Sequence, residues 1–273
     1  MSLEPMDDGT SFPNKVNGPS RHLSLVDHAL VHLYGVACLY RWKDVGDYAS
    51  LVYERGGSVE EVQGCARHLV VYVLWLWAMF GCHDSIEKGQ GWEDMIRLAA
   101  MIGFYCYNIL QAIPHDTPGK VGGDPGNAFG IVYQGVEGAV RDKVYDADPV
   151  LEAWIQSHLY GDVYSSPGLT MLQKQYLTIM GLVKSHMMEQ IYGHAFAALR
   201  FGATEDALKE VVDIAAFLMT QSSSSEDTEI FRKAKRTIDM AVIKYKRGSS
   251  TQNADPPALV VDQSSIRIPM RNS

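Results

Sequence analysis

Apolar residues recur at helical spacing over residues 172–219, the best-defined pattern in the chain. The pattern predicts one helix over 172–201 and a second over 205–219, the latter with its apolar residues on one face at a period of 3.6. Between them, Gly202 stands where a helix ends in a left-handed residue, and Thr204 is a favoured N-cap. The stretch therefore predicts a pair of packed helices, within which His194 is a polar residue set among alanines.

Helical patterns cover most of the remaining chain. They predict helices over 24–55, 58–81, 93–113, 149–159 and 226–246. Ser58 and Glu61 form a predicted capping box, and residues 130–143 fit either a helix or a glycine-rich loop. Almost no period-two alternation is present, so the predicted fold class is all-α.

The same patterns divide the chain into segments. Residues 1–21 are rich in Pro, Gly, Asn and Ser and form a predicted flexible arm, and residues 248–273 form a predicted tail. Between them we expect a first helical unit at 22–113, a linker with short helices at 114–159 and a second helical unit at 160–247.

The two predicted units match each other as an internal repeat. A shift of 146 residues superposes Gly35 on Gly181, Ala49 on Ala195 and Gly56 on Gly202. The helix-capping residues near these glycines also match. We therefore predict tandem units related by approximate twofold symmetry. The second copy alone carries His194, because the first has Tyr48 at that position.

Composition disfavours several classes of function. The chain has 32 acidic and 24 basic residues and a net charge of −8, which argues against nucleic acid as a partner. The longest apolar run, residues 69–80, is too short to span a bilayer and predicts a buried helix. No secretory signal pattern opens the chain. We expect a cytoplasmic protein without a membrane or nucleic-acid partner, and its cysteines are predicted to be reduced and buried: Cys38, Cys65, Cys82 and Cys106.

Two segments carry a resemblance to a known family. Residues 194–204, H-A-F-A-A-L-R-F-G-A-T, resemble the signature helix of the carboxymuconolactone decarboxylase-like superfamily, which includes the AhpD-like alkylhydroperoxidases. Residues 160–169, Y-G-D-V-Y-S-S-P-G-L, resemble the W-G-x-x-W-x-R-P-G-L that precedes this helix in the family. The likeness is specific over 160–219 and weaker over 25–80. It implies paired AhpD-like helical units that assemble into homo-oligomers, trimers or hexamers.

The peroxidase motif of that family is altered here. The peroxidase branch carries C-x-x-C-x-x-x-H, and its cysteine positions are Met187 and Gln190 in this chain. A thioether and an amide cannot perform thiol–disulfide exchange, which needs a thiolate. Peroxidase activity is therefore disfavoured.

The decarboxylase pattern is altered as well. The glutamate usually found four residues before the histidine is Gln190, with Glu189 beside it, and the arginine after P-G-L is Lys174. Tyr160 and Tyr164 replace the family's tryptophans.

The candidate catalytic residues surround His194, whose ordinary pKa near neutrality suits a general acid or base. Lys174 is the candidate partner for a substrate carboxylate, and Gln190 or Glu189 the candidate support for His194. Because Gln190 and Glu189 are adjacent, they cannot both face the histidine. The alternatives are a hydrogen-bonded core histidine and a solvated helix lysine.

Further residues are candidates for binding. Tyr160, Tyr164, Met187 and Tyr192 are predicted to line an apolar substrate pocket, the alternative being core packing. His28 and His32 have i, i+4 spacing, but the sequence offers no third ligand beside them, so no metal and no cofactor are predicted.

The resemblance and the candidate residues together predict a cofactor-independent lyase, decarboxylase or isomerase acting on a small carboxylated ring compound. Such chemistry needs a proton donor for the carbanion and a group that stabilises the oxyanion. The alternative is a catalytically silent member of the family that binds small molecules or serves as an oligomeric scaffold.

Overall fold

We analysed a computed structural model of the chain, which describes residues 22–39, 41, 44–70, 128–219 and 225–251. Every regular element in these ranges is a helix, which confirms the all-α class. Several predictions lie outside the described residues. They concern the arm at 1–21, most of the apolar run at 69–80, the helix at 93–113, the cysteines Cys82 and Cys106, and the tail beyond residue 251.

The first described region contains helices α1 (Leu25–Cys38), α2 (Val45–Glu54) and α3 (Val59–Val70). The predicted capping box opens α3, with the Ser58 amide 2.8 Å from a Glu61 carboxylate oxygen and the Glu61 amide 3.1 Å from Ser58 Oγ. A single helix over 24–55 is wrong. The amide of Arg41 bonds to the carbonyl of Val36, five residues back, which ends the regular ladder before α2 begins.

The middle region contains α4 (Ala128–Val132), α5 (Glu137–Ala147), α6 (Pro149–Trp154) and a π-helical segment (Ile155–Val163). Asp148 caps α6 by accepting hydrogen bonds from the amides of Val150 and Leu151. The helix predicted over 149–159 changes from α to π geometry at residue 155, where the exposed Trp154 (60%) is followed by the buried Ile155 (5%).

The last region contains α7 (Met171–Lys184), α8 (Met188–Arg200), α9 (Glu205–Met219) and α10 (Ser225–Thr251). A single helix over 172–201 is wrong, because His186 takes a left-handed backbone with φ of 60° between α7 and α8. The predicted joint before α9 is confirmed. Gly202 has φ of 94°, and Thr204 Oγ1 accepts from the amide of Ala207 at 3.1 Å.

The main core joins the first and last regions. It gathers buried apolar residues from α1, α2, α3 and from α7 to α10, with α1 packed directly on α7. A second, smaller apolar cluster joins α4 and the π-helical segment to Ala197 of α8. His194, one turn before Ala197 on α8, therefore lies where the two clusters meet.

The loop that leads into α7 is fixed against α3. Gly168 has φ of 95°, and a Cβ there would lie 1.9 Å from the carbonyl oxygen of Glu60. Arg67 donates from Nη2 to the carbonyl of Pro167 at 2.8 Å. The glycine of the P-G-L sequence thus allows the loop backbone to lie against α3, at a distance that a side chain would prevent.

Within the described parts of the chain, none of the helices combines the length and apolarity that crossing a bilayer requires.

Candidate functional site

His194 is a buried histidine held by an amide from the neighbouring helix. Its Nδ1 lies 2.8 Å from Oε1 of Gln175 on α7. Burial lowers the pKa of His194 to about 4, so the ring is neutral near pH 7. A neutral ring that donates from Nδ1 to the Gln175 oxygen keeps a lone pair on Nε2. The arrangement prepares an imidazole that accepts a proton at Nε2.

Tyrosine rings form one wall of this site. The Tyr164 ring lies 6.4 Å from the His194 ring, at an interplanar angle of 24°, and stacks on Tyr160 at 4.8 Å. Tyr160 donates its hydroxyl proton to the Tyr133 hydroxyl at 3.0 Å. Burial raises the pKa of each of these phenols, so all of them stay protonated. The wall therefore offers hydroxyl donors and apolar ring faces.

A hydroxyl network continues from Tyr164 into the core. Its hydroxyl lies 2.7 Å from Thr178 Oγ1 on α7, and Thr178 Oγ1 lies 3.0 Å from Nε2 of His68 on α3. His68 is fully buried. Burial, reinforced by the positive charge of Lys174, lowers the pKa of His68 to about 3. The site consequently contains a second neutral histidine, contributed by a distant part of the sequence.

Lys174 is buried with its ammonium group bound to the backbone. Nζ donates to the carbonyl of Tyr164 at 2.5 Å and to the carbonyl of Ser166 at 2.7 Å. Burial, with a smaller effect from the charge of Arg67, lowers the pKa of Lys174 to about 8. Two of the three ammonium protons thus satisfy carbonyls where the π-helical segment ends, which leaves one for any ligand.

The remaining predicted residues take different positions. Glu189 is exposed in the first turn of α8, and Gln190 is half-buried. Met187 and Tyr192 are partly buried against the main core. They do not belong to the second apolar cluster, which contains Tyr160 and Tyr164. The structure therefore brings His194, Lys174, Tyr160 and Tyr164 together. The amide beside the histidine is Gln175, and a role for Gln190 or Glu189 stays a prediction.

The sequence interpretation missed Gln175, Thr178, His68 and Tyr133. A signal existed for Gln175 and Thr178, which are polar residues three positions apart in α7 and so share one face of the helix. No local pattern marks His68, which lies 110 residues from its partner Thr178.

The described residues contain no group of three or more His, Cys, Asp or Glu that could hold a metal ion. The pair at His28 and His32 has other partners. His32 Nδ1 bonds to the carbonyl of His28 at 2.8 Å, and His28 Nδ1 lies 2.6 Å from a guanidinium nitrogen of Arg55.

A cleft of about 280 Å³ lies elsewhere, between α5 and α6. Its lining includes Arg141 and Glu152, which pair at 3.1 Å, and does not include His194. It is therefore separate from the histidine site.

Neither comparison with family models nor comparison with curated proteins finds a match to this chain.

Proposed function

We propose that this chain is a carboxymuconolactone decarboxylase-like protein that acts, without a cofactor, as a lyase or isomerase on a small carboxylated ring compound. The observation that carries the proposal is the buried, neutral His194, held through Nδ1 by Gln175 and bordered by protonated tyrosines. A preoriented neutral imidazole is the group that general base catalysis near pH 7 requires.

The substrate's own carboxylate supplies a negative charge beside His194. With a pKa of about 4, His194 alone holds a proton poorly. A carboxylate bound beside it favours the imidazolium and raises its pKa toward neutrality. His194 therefore carries on Nε2 a proton taken up from solvent when the carboxylate binds. The C–CO₂ bond then breaks, CO₂ leaves, its electron pair enters a dienolate, and Nε2 donates the proton to carbon. In this scheme Tyr164 donates a hydrogen bond to the dienolate oxygen.

We also propose that the two helical regions are tandem copies of one unit related by approximate twofold symmetry. A shift of 146 residues carries α1 (Leu25–Cys38) onto α7 (Met171–Lys184) end to end. It also carries the start of α3 onto that of α9. Gly56 and Gly202, which correspond, have φ of 86° and 94°.

One contact supports the symmetry directly. Gln173 Nε2 donates to Asp27 Oδ1 at 3.0 Å, and these residues are 146 positions apart. Corresponding residues touch each other when they lie near a twofold axis. In this scheme Tyr48 corresponds to His194 and His28 to Lys174, so the copies have diverged and the second alone carries the catalytic histidine.

A silent binding or scaffold role is the second candidate. It is favoured by the Lys174 ammonium, whose two hydrogen bonds go to backbone carbonyls. Assembly of either kind of protein into trimers or hexamers is supported by the exposed Val150 and Trp154 on α6, and native mass spectrometry measures it. A cytoplasmic location is supported by the buried thiol of Cys38.

Turnover of carboxylated lactones tests the proposal. We expect the wild-type chain to release CO₂ from, or isomerise, a carboxylated muconolactone, and His194→Ala to lower kcat by about 10²- to 10⁴-fold with its helical circular dichroism retained. The matched control is Asp206→Ala, at an exposed position in the first turn of α9. Unchanged turnover in His194→Ala contradicts the catalytic role. Binding without turnover in the wild type selects the second candidate.

A further inference from the structure

The buried polar groups around Thr178 include one histidine nitrogen without a partner. His68 bonds through Nε2 to Thr178 Oγ1, whereas its Nδ1 is buried and has no hydrogen-bond partner among the described residues. His68 is fully buried, and the Tyr34 and Tyr164 rings lie 5.9 and 5.1 Å from its ring. An unpartnered nitrogen at such a position sets the tautomer of the ring.

The neutral ring carries one proton, on either Nδ1 or Nε2. A proton on Nδ1 would be a buried N–H without an acceptor, and orphaned buried donors are the costlier and rarer case. A proton on Nε2 is satisfied at once by Thr178 Oγ1 at 3.0 Å. The ring is neutral because burial and the positive charge of Lys174 lower the pKa of His68 to about 3, although a hydrogen bond with the Lys174 backbone acts in the opposite direction. The arrangement therefore favours the Nε2–H tautomer of His68.

That tautomer decides the direction of the hydrogen bonds that follow. When Thr178 Oγ1 accepts from His68 Nε2, its own proton is available for Tyr164 Oη, which lies 2.7 Å away. Tyr164 Oη then accepts from Thr178, and its phenolic proton is free for another acceptor. In the opposite tautomer the direction of this hydrogen-bond chain reverses, because Thr178 donates to His68 and Tyr164 donates its phenolic proton to Thr178.

We propose that His68 is a positioning residue of the His194 site, which acts through Thr178 to leave the Tyr164 phenolic proton free for an oxygen acceptor of the ligand. The acceptor is a carbonyl, enolate or carboxylate oxygen of the ring compound. The inference rests on the proposed function for the ligand it names, but the tautomer and the direction of the chain do not depend on turnover. The site is thus built from both helical regions, since His68 lies on α3 and Thr178 on α7.

Nitrogen-15 spectra of histidine-labelled full-length protein test the tautomer first. We expect His68 to show a protonated Nε2 and an unprotonated Nδ1 from pH 5 to pH 8, with a slowly exchanging Nε2 proton. A protonated Nδ1 overturns the inference even if His194→Ala has abolished turnover. The expected tautomer together with inactive wild-type protein contradicts only the proposed function.

Thr178 variants test the connecting hydroxyl of this hydrogen-bond chain without substituting His68. Thr178→Val removes the connecting hydroxyl, and we expect kcat on a carboxylated muconolactone to fall roughly 10- to 100-fold at nearly constant KM. Thr178→Ser restores the hydroxyl and should restore kcat. The matched control is Thr237→Val, another buried threonine, whose hydroxyl bonds to the Lys233 carbonyl within α10. Equal losses of kcat in Thr178→Val and Thr237→Val, or no recovery in Thr178→Ser, overturn the inference.

Discussion

Nδ1 of His194 lies 2.8 Å from Oε1 of Gln175, a residue nineteen positions earlier and on the preceding helix. This contact joins α7 to α8 at the point where the main core meets the second apolar cluster. It gives the buried histidine its orientation without giving it a charge. A neutral amide beside the ring is why burial alone decides its pKa.

Replacing that amide with a carboxylate should charge the histidine. In Gln175→Glu, the carboxylate stabilises the imidazolium, so we expect the pKa of His194 to rise from about 4 by at least about one pH unit. A nitrogen-15 titration of the labelled ring measures it. The matched control, Gln190→Glu, should change the pKa much less. A larger change in Gln190→Glu would make Gln190 the partner of His194 instead.

The buried histidines should make the protein unstable in acid. The pKa is about 4 for His32, about 3 for His68 and about 4 for His194. Below pH 6.5 the unfolded chain binds protons that the folded chain does not, so the free energy of unfolding falls as the pH falls toward 4. Each of these histidines contributes on the order of 1–3 kcal/mol to that loss.

Urea denaturation between pH 7 and pH 4 measures this dependence. His194→Phe removes one such group and should flatten the slope of unfolding free energy against pH by about one proton. The control, Thr237→Val, changes no group that ionises between pH 4 and pH 7, so the slope of its unfolding free energy against pH should equal that of the wild type. A slope in His194→Phe that equals the wild-type slope would show that His194 protonates as readily in the folded chain.

The fold could be predicted from local residue preferences, whereas the contacts of the site depend on how distant helices pack. Gly202 and Thr204 mark a helix joint because left-handed backbone and N-capping have strong residue preferences, and the structure confirms both. The breaks before α2 and at His186 carry no proline or glycine, so the helical pattern runs across them. Spacing along one helix marks Gln190, one turn from His194, as a candidate. Gln175 carries no such mark, because it reaches the ring only through packing of two helices.

Lys174 should act mainly as a structural residue. Lys174→Met removes the hydrogen bonds to the carbonyls of Tyr164 and Ser166 and leaves these groups without their donor. Because hydrogen bonds to charged groups contribute about 1.5–3 kcal/mol each, we expect the unfolding free energy to fall by about 2–4 kcal/mol. Chemical denaturation measures it. Lys209→Met, which breaks more exposed ion pairs, should cost less than about 1 kcal/mol. Equal costs in the two variants would contradict this role.

The close contact at Gly168 should tolerate no side chain. In Gly168→Ala, the new Cβ meets the Glu60 carbonyl oxygen at 1.9 Å and a backbone with φ of 95°, so the loop must leave α3. We expect a loss of roughly 3 kcal/mol or more in unfolding free energy. Gly138→Ala, a helical position with open space around the Cβ, should leave stability unchanged or raise it by up to about 1 kcal/mol. A stable, fully folded Gly168→Ala protein would contradict the contact.

The pKa of His194 in the presence and absence of a carboxylated muconolactone tests the central claim most directly. Nitrogen-15 titration of the labelled ring should give about 4 for the free protein, and a value closer to neutrality when saturating ligand places its carboxylate beside the imidazole. A pKa that stays the same at saturating ligand would contradict the claim that His194 exchanges protons with a carboxylated ring compound.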